Sequence, residues 1–460
     1  MKRFVSLLLL ALAFSAALSA KTPKYVFLFI GDGMGNNQVY LTGRYNSSTG
    51  NGGDVNFYGF PVKAMLSNRV ANSLVPCSGS TGTALSSGVK VNTGTIGWTV
   101  DGKPTENICE IAHRNGWGTG FATSVAVNHA TPACFYAHVP SRGQFLDIAS
   151  QLFGSGIDFA SGSTFLVDDG SDVKPSDLVG QAAVAGMETF CGRDRYRNVK
   201  GKRVLYLSDR LDEVSLPYAI DRKPGDMRLA DFTAAGIEYL YSNFRSKGFF
   251  FMVEGGKIDY ACHSNDASTV FAEVNDMAES VQLALEFAAE HPQETLILVT
   301  ADHETGGMTI SSGKYECYPE RLIGQKCSKD ALTQAMYELE RQTSGRPAWW
   351  QVKDVLRENL GLWDSIPVSS EQNMKFTQLY KEIYLDGDTE EEVNLYSSNS
   401  RIVAAAIKYL DSYAGLTWPV RSHSGAPLLL YAFGPAASEF APCMDQTDVP
   451  AYIMKTAKLK

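Results

Sequence analysis

Three segments of this chain are apolar almost without interruption: "KYVFLFIGD" (24–32), "GFFFMVEGG" (248–256) and "ETLILVTADHETGG" (294–307). A strand with one wet face alternates apolar and polar residues, so a continuous run marks a strand covered on both faces. Helical patterns precede two of them, at 226–244 ("DMRLADFTAAGIEYLYSNF") and 267–291 ("ASTVFAEVNDMAESVQLALEFAAEH"). Strands alternating with helices predict an α/β fold, a three-layer α/β/α sandwich on a mostly parallel central sheet. A strand near "GTGFATSVAV", a helix near "RGQFLDIASQLFG" and a final strand at 426–435 ("APLLLYAFGP") extend the pattern. Residues from about 311 to 415 depart from it. They are charged and helix-rich, and are expected to form a cap inserted between the third apolar strand and the last. At 460 residues, one large domain carrying such an insertion fits best.

The first 20 residues read as a secretory signal peptide, which leaves 21–460 as the catalytic domain. Lys2 and Arg3 form a basic start, Phe4 to Leu18 is apolar, and small residues follow at Ser19 and Ala20. The run is short for a membrane span, and no later segment is long and apolar enough for one. The expected product is exported, periplasmic or secreted. Its formal net charge of −9 argues against nucleic acid as the main partner. An acidic protein that handles an anionic substrate needs a local positive site, such as metal ions or an arginine. Export permits disulfides among the eight cysteines, and Cys317 with Cys327 is the expected pair.

Each apolar strand ends by delivering an acid: Asp32, Glu254, and Asp302 beside His303. In open α/β sheets the carboxyl ends of parallel strands form the ligand crevice. One such aspartate is more often a helix cap, but three are harder to dismiss. The second strand runs on into "KIDYACH", where Asp259 and His263 share a helix face and can ligate one metal. Isolated, that spacing would be a solvated pair. The glycines after His303 let Asp302 and His303 turn to one ion. His423 in "RSHSGAP" adds a third histidine, whereas His113, His291 and His138 read as surface or structural residues. Asp32, Asp259, His263, Asp302, His303 and His423 thus offer three ligands to each of two metals, the ligand count of catalytic zinc. Two cations close together can grip the attacking and leaving oxygens of a phosphoryl transfer.

Six ordered stretches, "FIGDGMG", "CSGSTGTALSSGVK", "NHATPACFYAHVPSR", "VEGGKIDYACH", "TADHETGG" and "HSGAPLLLYAFGP", resemble the motifs of the alkaline phosphatase family. The resemblance runs from about residue 24 to the C-terminus and is poor over 311–415. It implies an exported phosphomonoester hydrolase with two zinc ions and one magnesium. Asp259, His263 and His423 would hold the first zinc, and Asp302, His303 and Asp32 the second. Asp32, Thr131 and Glu254 would hold magnesium. Arg142 would clamp two phosphate oxygens. The resemblance also implies small phosphomonoesters as substrates and, as the family's members often pair, a homodimer.

The same resemblance places the nucleophile at Ser78, in "VPCSGSTGTALSSG". A serine at the start of a small-residue helix meets the positive end of the helix dipole. With a zinc to lower its hydroxyl pKa it needs no histidine base. Attack would give a phosphoserine, which water then hydrolyses. Ser80, Thr81 and Thr83 are left as structural. Cys77 is the rival nucleophile, but a cysteine phosphatase carries an arginine six positions on, where this chain has Thr83. Cys77 reads instead as half of a disulfide or as a buried thiol, where the family commonly has an aspartate that orients the arginine. His129 and Tyr260 stand at family-variable positions, and neither brings an acid to the magnesium site. The competing readings are a phosphodiesterase or phosphonate hydrolase of the same metal-binding superfamily, and a secreted metal or phosphate binder without turnover.

Overall fold

The computed structural model of the chain describes residues 22–313, 315–387, 392–394 and 397–460. The expected signal peptide lies outside the described residues. The strands, in chain order, are β1 (Tyr25–Gly31), β2 (Val62–Leu66), β3 (Gly118–Thr123), β4 (Phe159–Gly162), β5 (Glu188–Cys191), β6 (Val204–Leu207), β7 (Phe249–Gly255), β8 (Thr295–Ala301), β9 (Glu304–Thr305), β10 (Glu392–Asn394), β11 (Ser397–Asn399), β12 (His423–Ser424) and β13 (Leu428–Phe433). Nine of them form one sheet in the order β2-β13-β8-β1-β7-β3-β4-β6-β5. The central pairings are parallel, and β13 alone runs against its neighbours β8 and β2. The expected mostly parallel sandwich is therefore what the chain forms.

The apolar runs are explained by burial on both faces. Phe27 and Phe29 of β1 join a core beneath the helices Leu229–Phe244 and Ala267–Glu290. Val26, Leu28 and Ile30 join a second core beneath Ser78–Ser87, Phe145–Gly154 and the C-terminal helix Asp448–Ala457. Alternate side chains of one strand point to opposite faces, so both faces must be apolar.

Register sets the site. Gly31 pairs with Gly255 of β7 and with Ala301 of β8, and Ile30 lies opposite Glu254. The acids at the ends of β1, β7 and β8 therefore emerge at one level of one edge. The residues after 311 include the helices Lys329–Gln342, Trp349–Leu360, Ser370–Tyr384 and Arg401–Ala414. This segment is tied to the body by Asp266, whose carboxylate accepts from the Lys329 N–H (2.7 Å) and Gln325 Nε2 (2.8 Å).

Candidate metal centre and nucleophile

The carboxyl edge gathers three groups of ligand-type atoms, each group within 4.8 Å: Asp259 with His263 and His423; Asp32 with Asp259 and His303; and Asp32 with Glu254 and His129. Asp259 and His263 sit on the short helix Lys257–His263, which follows β7 directly. His423 comes from far along the chain, and the β9–β12 pairing sets it opposite Thr305. His263 Nε2 lies 3.2 Å from His423 Nε2 and 3.3 Å from Asp259 Oδ2. Their outer nitrogens are fixed by backbone: His263 Nδ1 by Arg421 O (2.5 Å), His423 Nδ1 by Pro76 O (2.9 Å). This leaves both Nε2 atoms aimed at one point.

His303 Nε2 is 3.2 Å from Asp302 Oδ2, 3.4 Å from Asp32 Oδ1 and 3.2 Å from Ser78 Oγ. One ring nitrogen cannot serve three partners, whereas a cation among them can. Thr131 Oγ1 donates to Asp32 Oδ2 (3.3 Å), beside Glu254 at the end of β7.

Ser78 is the first residue of the helix Ser78–Ser87 and is buried. Cys77 caps that helix, and its sulfur accepts the Gly94 N–H (3.1 Å). The Gly94 carbonyl in turn accepts the Arg142 N–H (2.8 Å). The Arg142 guanidinium reaches His129 Nε2 (3.5 Å). Every expected site residue thus lies at this edge or on the loop beside it.

The family model described as alkaline phosphatase matches residues 23–158 and 152–459. The chain belongs to the alkaline phosphatase family. It is 29% identical over 442 residues to alkaline phosphatase 4 of Bacillus subtilis, covering 94% of this chain and 88% of that protein. The crystal structure of a cold-active alkaline phosphatase from a psychrophilic Shewanella superposes with a TM-score of 0.78 at 28% identity, covering 94% of this chain and 99% of that one. A mutant of the TAB5 alkaline phosphatase with magnesium bound in its M3 site shares the fold, with a TM-score of 0.65 at 23% identity over 96% of this chain and 100% of that one. This chain is an alkaline phosphatase enzyme.

The electrostatics of this alkaline phosphatase site call for cations. Asp32, Glu254, Asp259 and Asp302 are all buried within it, and uncompensated carboxylates are costly there. Burial, with the charges of Asp302 and Asp259, pushes the Asp32 carboxyl well above its ordinary value. Burial pushes Glu254 up to about 8 and Asp302 up to about 7. Burial also acts to raise Asp259, but the imidazoles of His263, His423 and His303 outweigh it and hold this carboxyl well below the usual range. Burial pushes His129 down to about 3, so it is a neutral ligand-type imidazole. Asp32 Oδ1, Glu254 Oε1 and His129 Nδ1 are buried without a hydrogen-bond partner. Carboxylates and neutral imidazoles with orphaned atoms converging in pairs and triples fit divalent metal.

Several contacts escape sequence reasoning. Thr305 Oγ1 donates to Asp259 Oδ1 (2.5 Å) and lies 3.2 Å from His303 Nδ1, linking two of the groups. Thr123 hydrogen-bonds Glu254 across the β3–β7 register. Thr81, expected to be structural, also reaches Asp302 Oδ2 (3.4 Å). Its spacing from Ser78 on one helix was the available signal. His129 belongs to the third ligand group itself. The expected disulfide is corrected: all eight cysteines are free thiols. Cys317 packs against Gly415, while Cys327 Sγ turns to Asn359 Oδ1 (3.6 Å), and the 3-10 turn Pro319–Gly324 stands between them. Cys77 is likewise a buried thiol rather than half of a bridge.

Proposed function

We propose that this enzyme hydrolyses phosphomonoesters through a phosphoserine on Ser78. In this reading Asp259, His263 and His423 hold one zinc, and Asp32, Asp302 and His303 hold a second. Asp32, Thr131 and Glu254 hold a magnesium, with His129 beside them. The convergence of Ser78 Oγ, Asp32 and Asp302 on His303 Nε2 carries the reading. Bound cations would lower the pKa of the Ser78 hydroxyl and neutralise charge on the attacking and leaving oxygens.

The chain's own residues do the rest. The N-terminus of the Ser78–Ser87 helix points backbone N–H groups and its dipole at the incoming phosphate. Arg142 clamps two phosphate oxygens and holds the ester for in-line attack. In-line displacement sends the alcohol oxygen away from Ser78, and the reading assigns it to the side of Asp259, His263 and His423. Water then attacks the phosphoserine from the vacated side, releasing inorganic phosphate. His129 supplies an imidazole where magnesium prefers oxygen, so we infer weak magnesium binding or a different divalent ion at the third site. The leader places the enzyme outside the cytoplasm, and the 311–415 segment caps the catalytic body.

Metal analysis with a chromogenic monoester tests this. Chelation is expected to abolish turnover, and zinc followed by magnesium to restore it. A rate on a bis ester exceeding that on the monoester would point to a diesterase instead. Two zinc and one tightly held magnesium in the purified protein would contradict the inference for the third site.

A further inference from the structure

Beyond His263 the chain lines a cleft of about 540 Å3. Its walls combine Ser264 and Asn265, Lys329 at the start of one helix, Lys408 and Asp411 on another, and the loop from Trp418 to Arg421. That loop also builds the metal centre. Its Arg421 carbonyl fixes His263 Nδ1 (2.5 Å), its Val420 carbonyl accepts from Asn265 Nδ2 (2.9 Å), and His423 follows two residues on.

The lining is positive in a chain whose net charge is −9. Lys329 is only 2% exposed, yet its Nζ makes one hydrogen bond, to the Ser264 carbonyl (3.0 Å). Lys408 and Arg421 stand exposed at the rim. The one acid is Asp411, buried, with Oδ2 accepting from Trp418 Nε1 (2.7 Å). Asp411 Oδ1 and Ser264 Oγ are buried without a hydrogen-bond partner. The charges of Asp266 and Asp330, with Asp411, already offset part of the cost of burying the Lys329 ammonium. An ammonium with one hydrogen bond and two orphaned polar atoms around one space still favour the entry of something polar and anionic. Burial also pushes the Asp411 carboxyl well above its ordinary range, which favours its neutral, donating form.

We propose that this cleft is a leaving-group subsite that receives a second anionic group, a carboxylate or phosphate, carried by the alcohol part of the substrate. The proposal rests on the phosphomonoesterase reading, which puts the departing alcohol on the His263 and His423 side. The anion would meet Lys329, with Lys408 at the rim and the Ser264 hydroxyl as donor. The Trp418 indole would flank the carbon skeleton.

The test compares phosphoglycerate, glycerol phosphate and p-nitrophenyl phosphate on the metal-loaded enzyme. The wild type is expected to show a KM for phosphoglycerate about tenfold below that for glycerol phosphate, the scale of a charged hydrogen bond in a partly buried site. Lys408→Glu, an exposed change, is expected to raise the phosphoglycerate KM about fivefold and leave the other two substrates unchanged. Lys329→Met is expected to remove the preference while p-nitrophenyl phosphate turnover persists. Equal KM values in the wild type, or a parallel change for all three substrates in Lys408→Glu, would overturn the proposal. So would free glycerate inhibiting noncompetitively without any substrate preference, which would mark a site for free anions. No turnover of p-nitrophenyl phosphate at all would instead sink the phosphomonoesterase reading, and this inference with it.

Discussion

Cys77 shows how one residue alters a shared site. Burial acts to raise its thiol, but hydrogen bonds with Ser80 and Gly94 and the nearby Arg142 charge bring it below its ordinary value. A backbone relay joins it to the arginine: the Gly94 N–H donates to Cys77 Sγ, and the Arg142 N–H donates to the Gly94 carbonyl. An aspartate there could pair with the guanidinium itself. Cys77→Asp is therefore expected to tighten product inhibition by phosphate about threefold, read as a phosphate inhibition constant. Unchanged inhibition and an unchanged rate would contradict this. Asp32, Glu254 and Asp302 were legible in the sequence because each ends an apolar strand. Thr123 and Thr305 were not, because their contacts depend on strand register and on a two-residue pairing that no local pattern records.

Among the elements, the helix Leu229–Phe244 shows how closely the layers pack. A Cβ on Gly236 would lie 2.3 Å from the ring of Phe251 on β7. Gly236→Ala is expected to cost about 1–3 kcal/mol by overpacking, seen as a lower Tm with kcat retained. A Tm equal to wild type would show that the ring has room to move. The central strands and this helix were legible from periodicity. The short strands β4, β6 and β5 at one end of the sheet were not, because runs of four residues carry too little pattern to separate from loops. The antiparallel sense of β13 also has no signature in its own residues, since an apolar run reads the same in either direction.

For the whole molecule, the buried acids link metal to stability. A carboxyl raised in the folded state holds its proton more tightly there than in the unfolded chain. The share these two acids give to the metal-free fold is thus greatest below the ordinary carboxyl range near 4, and it is lost as pH rises through about 7 for Asp302 and about 8 for Glu254. Asp259, held low, gives stability that is already constant across that window. Glu273, pushed up to about 7 by burial outside the site, weakens both forms alike. Bound cations favour the charged carboxylates and cancel the site's share. The Tm of chelated protein is expected to fall more between about pH 6 and about pH 9 than that of metal-loaded protein, in parallel thermal scans. Parallel curves would mean that these acids do not bind the metal.

Trapping the covalent intermediate decides whether Ser78 is the nucleophile. Metal-loaded enzyme, quenched in acid during turnover of a monoester and digested, should carry one phosphate on the peptide that contains Ser78. Ser78→Ala should lose both that mark and turnover, by about three orders of magnitude or more. Phosphate on another residue, or undiminished turnover in Ser78→Ala, would rule out a phosphoserine on Ser78.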